Sequence, residues 1–173
     1  KLRNITSSEN RENQENKDNE NYDDMIRILP YTMNEELFMG INYNSYIEKC
    51  NKYGIKPLTT IFTKERLKFI EKLNLNSIKI SSFDCSSFGL LSDISKSKKI
   101  KNVILSTGAA YNSEILRAKK ILSKKNLTLL HCVSVYPTPI ELANLNRIKF
   151  LKKINKSVGL SDHSNFDKSG FEP

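Results

Sequence analysis

Three kinds of feature are missing from this chain, and each absence excludes a class of protein. No apolar run approaches the roughly 20 residues that a membrane-spanning helix needs, and the start shows no signal peptide. The three cysteines, Cys50, Cys85 and Cys132, form no CxxC pair. An odd number of scattered cysteines argues against a disulfide framework or a zinc ribbon. It favours a reducing compartment, so we expect a cytoplasmic protein.

The excess of positive charge does not by itself indicate a nucleic-acid-binding protein. The formal net charge of the 173 residues is +9, with −3 on residues 1–24 and +12 on the remainder. The lysines stand singly or in pairs such as Lys98-Lys99 and Lys152-Lys153, which is typical of solvated helix faces. No basic stretch is interleaved with aromatic residues, as a base-stacking surface requires. We therefore expect neither nucleic acid nor a membrane as a partner.

The beginning of the chain differs in composition from the rest. Residues 1–21 are rich in Asn and Glu and almost devoid of apolar side chains. Such a segment cannot bury enough surface to offset its ordering entropy. We predict a disordered polar segment at residues 1–24 and one domain at residues 25–173. The chain begins at Lys1 rather than at a methionine, which we interpret as a sign of a fragment.

A strand-then-helix pattern repeats about every 20 to 30 residues from Ile55 onwards. Helices are expected between the strands, one capped by Thr63, one by Asn112, and one running from Leu142 to Ile154. A further short helix should end at Gly54. The predicted strands are residues 55–61, 77–81, 102–105, 127–130 and 158–160. Strands that alternate with helices predict an α/β fold with a parallel sheet.

Chemically capable residues follow all five predicted strands. In an open doubly wound sheet, ligand groups concentrate at the point where the strand order reverses. Five consecutive contributions to one site instead favour a closed ring, so we predict a TIM (β/α)₈ barrel. About five strands cannot close such a ring, and the barrel should be partial. The residues at these strand ends are Thr59 and Thr60, Ser82 and Asp84, Ser106 and Thr107, His131 and Ser134, and Ser161, Asp162 and His163.

Lys79 is the most informative single residue. It lies between Ile78 and Ile80 in a predicted strand, so its side chain points to the opposite face from both. A lysine inside a barrel is costly unless it meets an anion. The hydroxyls of Ser82, Ser106, Thr107 and Ser161 could complete a phosphate cradle. Alternatively, Lys79 extends to an exposed face and the hydroxyls are ordinary turn residues.

The other candidates allow both functional and structural interpretations. Asp84 could act as a base or hydrogen-bond a substrate, or it could only cap the following helix. His163 suits a metal ion, although one imidazole does not make a site. We interpret His131 as a residue of the core or as one that supports the site from behind its ligand-binding residues. Cys132 lacks an evident cationic partner that would make it a nucleophile.

Four motifs resemble the sialic acid synthase family in their order along the chain. They are Lys79-Ile-Ser-Ser-Phe-Asp84, Leu105-Ser-Thr-Gly108, Leu130-His-Cys-Val-Ser-Val-Tyr-Pro-Thr-Pro139 and Val158-Gly-Leu-Ser-Asp-His163. The family includes N-acetylneuraminate, legionaminate and pseudaminate synthases and spore-coat polysaccharide enzymes. The resemblance implies a TIM barrel, usually followed by an antifreeze-like domain. It also implies condensation of phosphoenolpyruvate with an N-acyl mannosamine-type sugar, which gives a nine-carbon 2-keto acid and phosphate.

The resemblance also implies roles for individual residues. Lys79 and Asp84 match catalytic positions, and His163 matches one of two histidines that hold Mn²⁺ or Mg²⁺. Tyr136 and Asp84 would face the sugar, and a homodimer is implied for the full-length protein. The positions that match substrate ligands are Thr60, Lys79, Ser82, Ser106, Ser134, Tyr136 and Ser161.

Parts of the family pattern have no counterpart in this chain. Its first two strands, its last strand with the second metal histidine, and the antifreeze-like domain are absent, so we expect the fragment alone to be inactive. Two alternatives stay open at this point. One is a non-catalytic remnant that binds phosphate or acts as an interaction scaffold. The other is a related aldolase-type barrel, against which the Tyr136-Pro-Thr-Pro139 and Ser161-Asp-His163 motifs weigh.

Overall fold

A computed structural model describes residues 43–167 and 170–171 of the chain. The chain divides into two compact units, residues 1–49 and 50–173, and every candidate site residue lies in the second. The predicted disordered segment, residues 1–24, lies outside the described residues. In the part of the chain that is described, no helix has the length and apolarity needed to cross a bilayer.

Helices and strands alternate from Tyr43 onwards. Two short 3₁₀ helices, Phe83–Ser86 and Ile140–Leu142, lie in the loops after the second and fourth strands. A pair of two-residue strands, β6 (Phe166–Asp167) and β7 (Gly170–Phe171), is antiparallel. The main elements are α1 (Tyr43–Lys52), β1 (Thr59–Ile61), α2 (Lys64–Lys72), β2 (Ser77–Ile80), α3 (Phe88–Lys96), β3 (Asn102–Ser106), α4 (Asn112–Ile121), β4 (Asn126–His131), α5 (Arg147–Ile154) and β5 (Ser157–Leu160).

The five main strands form one parallel sheet in the order β1-β2-β3-β4-β5. The prediction of an α/β fold with about five parallel strands is confirmed. Because all five strands run the same way, their carboxyl ends meet at one edge of the sheet. Polar residues from consecutive strands are therefore brought together there, as a barrel arrangement requires.

One face of the sheet is buried and apolar. Ile78, Ile80, Val103, Leu105 and Leu129 lie on it, and none of them is exposed to solvent. The helices contribute their own buried residues to the core; these are Leu67, Ile70, Leu91, Ile94, Ile115, Ala118 and Leu151. The core therefore lies on this face, which we call the buried face, and leaves the opposite face for other contacts.

Local signals predicted several element ends correctly. Thr63 caps α2, because its hydroxyl accepts a hydrogen bond from the backbone N–H of Arg66 at 3.3 Å. Gly54, just after α1, has φ of +64°, the left-handed conformation that ends helices and that glycine adopts without strain.

Three local predictions were wrong. β1 begins at Thr59 rather than at Ile55, because Pro57 lacks an N–H for the ladder. Asn112 is the first residue of α4 rather than its cap. The helix predicted from Leu142 to Ile154 begins only at Arg147.

The shortening of α5 has a physical cause. Asn144 has φ of +43°, which interrupts a right-handed helix, and Pro139 precedes the 3₁₀ turn at Ile140–Leu142. Leu142 and Leu145 are consequently exposed, at 51% and 40%, although their spacing predicted burial.

Candidate functional site

The face of the sheet opposite the buried face carries the candidate ligand-binding residues. Lys79 lies there, as the alternation with Ile78 and Ile80 predicted, and its register partners are Thr60 on β1 and Ile104 on β3. Lys79 is half-buried, and among the described residues it has no ion-pair or hydrogen-bond partner. A half-buried lysine on this face favours an anionic ligand there.

Two hydroxyl groups at the strand ends are buried and have no hydrogen-bond partner. Ser106, the last residue of β3, is 3% exposed, and its Oγ contacts no donor or acceptor in the described residues. The Oγ of Ser134, three residues beyond β4, is also buried and has no hydrogen-bond partner among the described residues. Because buried polar groups are nearly always paired, two unpaired hydroxyls at one edge of a sheet indicate a place for a polar ligand.

Ser82 connects the ends of β2, β3 and β4. Its Oγ accepts a hydrogen bond from the backbone N–H of Gly108 at 3.2 Å and lies 2.9 Å from the Sγ of Cys132. We call Ser82, Ser106, Gly108, Cys132 and Ser134 the strand-end cluster. The contacts of Ser82 thus connect the loops that follow β2, β3 and β4.

Gly108 is packed so closely in the strand-end cluster that a side chain would not fit. A Cβ built at this position would lie 2.6 Å from the carbonyl oxygen of Cys132, 2.8 Å from its Sγ and 3.0 Å from the Oγ of Ser134. The absence of a side chain lets the backbone of the β3 loop approach the β4 loop. The backbone N–H of Gly108 is thereby brought to the Oγ of Ser82, to which it donates a hydrogen bond.

Thr107 and Asp84 make local contacts. The hydroxyl of Thr107 donates to the carbonyl of Leu130 at 3.0 Å, which removes its hydrogen from the proposed cradle. Asp84 accepts hydrogen bonds from Ser81 Oγ at 2.6 Å and Ser87 Oγ at 3.2 Å. Both carboxylate oxygens of Asp84 therefore stabilise the 3₁₀ turn, and its catalytic role stays a prediction.

His163 lies beyond β5 with its ring fixed by a backbone carbonyl. Its Nδ1 is 2.8 Å from the carbonyl oxygen of Val133, and a carbonyl only accepts, so Nδ1 carries the hydrogen. In the neutral ring, Nε2 then presents a lone pair, 3.4 Å from Ser161 Oγ. The ring of Tyr136 lies 4.4 Å away, centroid to centroid. His163, Ser161 and Tyr136 are thus brought together, and the roles that the resemblance implies for them stay predictions.

His131 is a buried anchor of the long loop after β4. It is 2% exposed, and its Nε2 donates to the carbonyl of Ala143 at 2.7 Å. Its Nδ1 is buried without a partner in the described part of the chain. This placement agrees with the interpretation of His131 as a core residue.

Divalent-metal ligands are sparse in this structure. No group of three or more His, Cys, Asp or Glu side chains that could hold a metal is found within residues 43–167 and 170–171. Of the two histidines, His131 is buried, whereas His163 is only half-buried, with its Nδ1 held by a carbonyl and its Nε2 beside Ser161. His163 is therefore the better candidate for a metal ligand.

The role of Cys132 was missed from the sequence. Its Sγ contacts Ser82, which is 50 residues away in the chain, and no local pattern signals such a contact. Nor does any local pattern signal the hydrogen bond between His163 and the Val133 carbonyl, which is 30 residues away in the chain.

The parallel sheet and the polar strand ends define a domain of the TIM-barrel type. A profile of the NeuB family matches residues 1–169, and the chain belongs to this family. The resemblance to sialic acid synthases is thereby confirmed.

Named relatives and a solved structure are similar to this chain. It is 34% identical over 139 residues to the pseudaminic acid synthase of Campylobacter jejuni (strain NCTC 11168), covering 78% of this chain and 37% of the relative. It is 38% identical over 125 residues to the N,N'-diacetyllegionaminic acid synthase of the same strain, covering 69% of this chain and 36% of that relative. The crystal structure of the N-acetylneuraminic acid synthetase from Leptospira borgpetersenii superimposes with a TM-score of 0.67 and 30% identity, covering 81% of this chain and 52% of that one.

These relatives are named as sugar-acid synthases, and the matched part is a fraction of each. The chain spans about a third of the length of the curated relatives it matches. The family match and the crystal structure identify the fold of the matched part.

Proposed function

We propose that this chain carries the phosphoenolpyruvate-binding part of a synthase that condenses phosphoenolpyruvate with an N-acyl mannosamine-type sugar. The observation that supports the proposal most directly is the pair of buried, unpaired hydroxyls of Ser106 and Ser134. Phosphate offers several strong acceptor oxygens, and hydroxyl hydrogens without a partner are suited to meet them.

Lys79 supplies the charge that this site needs. It lies on the same face as Ser106, next to Thr60, and has no carboxylate partner among the described residues. An ammonium facing a phosphate group contributes on the order of 1.5–3 kcal/mol through a charge-assisted hydrogen bond. Ser82 and Ser161 would extend the cradle towards the neighbouring strand ends.

The reaction divides between two ends of the site. Lys79 and the hydroxyls of Ser82, Ser106 and Ser134 would hold the phosphate group and stabilise it as it leaves the tetrahedral intermediate. Tyr136 is 64% exposed beside His163, and an exposed aromatic ring suits the face of a sugar. Carbon 3 of phosphoenolpyruvate would attack the sugar aldehyde between these two groups. Water would then add at carbon 2 to give the tetrahedral intermediate, which expels phosphate and leaves the 2-keto group.

His163 is the metal ligand in this proposal. Its Nε2 lone pair is directed by the hydrogen bond from Nδ1 to Val133. A bound Mn²⁺ or Mg²⁺ would supply Lewis-acid polarisation of the aldehyde oxygen. Such ions usually take about six ligands, so one imidazole holds them weakly. We therefore expect the 173-residue chain to bind Mn²⁺ poorly and not to turn over.

The test is calorimetric titration of the chain with phosphoenolpyruvate and with inorganic phosphate. Lys79→Ala should weaken phosphoenolpyruvate binding about 10- to 100-fold, because the charged partner is lost. Lys119→Ala is the control, since Lys119 is also half-buried but lies on α4. Equal affinities of the two variants would contradict the placement of Lys79.

The proposed roles at the sugar-binding end of the site are tested by enzyme kinetics on a longer version of the protein. In a version that includes further strands, Lys79→Ala should raise the KM for phosphoenolpyruvate much more than the KM for the sugar. His163→Ala should abolish activity and leave the circular dichroism spectrum unchanged. Tight one-to-one Mn²⁺ binding by the present chain would contradict the assigned ligands. Phosphate binding that persists in a longer but inactive protein would favour the alternative of a non-catalytic scaffold.

A further inference from the structure

The contact between Cys132 and Ser82 joins a thiol to a hydroxyl inside the proposed phosphate site. Cys132 is 3% exposed, and its Sγ lies 2.9 Å from Ser82 Oγ. Either atom can be the donor in this pair. The direction of the hydrogen bond decides whether the hydrogen of Ser82 is available to a ligand.

The neighbours of Ser82 constrain the choice. A hydroxyl oxygen has two acceptor positions and one hydrogen to donate. The backbone N–H of Gly108 already occupies one acceptor position of Ser82. If the thiol of Cys132 donates to the other, both acceptor positions are filled and the hydrogen of Ser82 is left for the ligand.

The chemistry of the two groups favours this direction when an anion is present. A hydroxyl is a strong donor and sulfur a weak acceptor, so a hydroxyl hydrogen pairs better with a phosphate oxygen than with a sulfur atom. The thiol can then give its weak hydrogen bond to the hydroxyl oxygen. The unpaired hydroxyls of Ser106 and Ser134 would add two further donors to the same edge of the sheet.

We propose that Cys132 is a positioning residue, which donates its S–H to Ser82 and holds Ser82 as a hydrogen-bond donor to the phosphate group of the ligand. The proposal rests on the phosphate-binding function given above. It assigns a role to a buried cysteine that is neither a nucleophile nor a metal ligand. Gly108 is part of the same arrangement, because only its lack of a side chain lets its N–H reach Ser82.

The direction of the hydrogen bond can be measured by infrared spectroscopy of the 173-residue chain. The S–H stretching band of Cys132 is identified by its loss in Cys132→Ala. A donating thiol absorbs at lower frequency, so Ser82→Ala should move this band to higher frequency. A band that stays in place when Ser82 is replaced would overturn the proposal.

The consequence for binding is tested by calorimetry with inorganic phosphate. Cys132→Ala should lower the affinity about three- to tenfold, the effect of one ordinary hydrogen bond, and Cys132→Ser should restore it because a hydroxyl also donates. Cys50→Ala is the control, since Cys50 is buried to 1% exposure but lies in α1. An affinity of Cys132→Ala equal to that of the unaltered chain would contradict the role of the thiol.

The two proposals fail in different ways. If the unaltered chain binds no phosphate, the proposed function is wrong, and the ligand role of Ser82 falls with it. The infrared band still reports whether Cys132 donates to Ser82. If phosphate binds and Cys132→Ser does not restore the affinity lost in Cys132→Ala, the phosphate site stands and the positioning role does not.

Discussion

The buried face of the sheet and the strand-end cluster both contain buried groups, but they differ in which groups are buried. Ile78, Ile80 and Leu105 on the buried face have apolar side chains that are fully inaccessible to solvent. One residue beyond Leu105, the hydroxyl of Ser106 is also buried, yet it has no hydrogen-bond partner among the described residues. Burial stabilises the first set and costs free energy in the second. The apolar residues therefore hold the fold together, whereas the buried hydroxyl of Ser106 does not.

The largest effect on stability is expected on the buried face. Leu105→Ala should lower the free energy of unfolding by about 2–5 kcal/mol, because it removes buried methyl groups and leaves a cavity. Urea unfolding at equilibrium measures the loss. Ile104→Ala is the control, because Ile104 is half-buried on the opposite face of the sheet. It should lower the free energy of unfolding by less than Leu105→Ala does. Equal losses would mean that the two faces do not differ in packing.

Gly108→Ala tests the close approach within the strand-end cluster. The added Cβ would clash with the backbone and the Sγ of Cys132. We therefore expect the free energy of unfolding to fall by about 1–3 kcal/mol and phosphate to bind more weakly. Gly89→Ala is a matched control, because a Cβ there meets nothing within 4 Å and Gly89 lies inside α3. The free energy of unfolding of Gly89→Ala, measured with urea, should rise by up to about 1 kcal/mol, because alanine favours a helix more than glycine does. A stable Gly108→Ala variant would show that the cluster is loosely packed.

Cys85, in the 3₁₀ turn beside the cluster, predicts a dependence of stability on alkaline pH. Burial, followed by the nearby Glu114 and Cys132, raises the pKa of its thiol to about 12. The unfolded chain loses this proton near pH 9, whereas the folded chain keeps it. Stability is therefore unaffected below pH 9 and falls as the pH rises towards 12.

The expected loss from Cys85 is about 1 kcal/mol between pH 9 and pH 10. Thermal or urea unfolding in this range measures it, and the same measurement on Cys85→Ala removes the contribution of other groups that titrate there. The difference between the two slopes reports Cys85 alone. Parallel slopes would mean that the thiol is not protected from ionisation by the fold.

The smallest change in stability is expected at Ser106. Ser106→Ala removes a buried hydroxyl that has no partner in the described part of the chain, so the free energy of unfolding should stay within about 0.5 kcal/mol or rise slightly. Phosphate affinity should fall in the same variant. Thr107→Val is the contrasting control, because the Thr107 hydroxyl is paired with Leu130 and its loss should cost stability. A large loss of stability in Ser106→Ala would place Ser106 with the residues that hold the fold.

The sequence predicted the sheet because its signals are local. Each strand is a short run of apolar residues, and the alternation at Ile78, Lys79 and Ile80 assigned both faces of β2 correctly. Helix α5 was predicted too long, since the left-handed conformation of Asn144 is not visible in hydrophobic spacing. The spacing of Leu142 and Leu145 therefore predicted a burial that does not occur.

The site was predicted only in part because its geometry depends on distant contacts. Ser82, Ser106 and Ser134 could be placed at the strand ends from the order of the strands. The pairing of Ser82 with Cys132 and of His163 with the Val133 carbonyl depends on the loops that follow different strands. Neither motif periodicity nor residue type carries that information.

The sequential order of the strands has a consequence for how the chain folds. Each strand pairs only with the next, and paired residues lie roughly 20 to 30 positions apart in the chain. The loop-closure entropy of each step is therefore similar and modest, since it depends on loop length only logarithmically. Within the five described strands, every pairing is between strands that follow one another in the chain. The sheet can grow by adding one strand and one helix at a time, in the order in which a ribosome synthesises them.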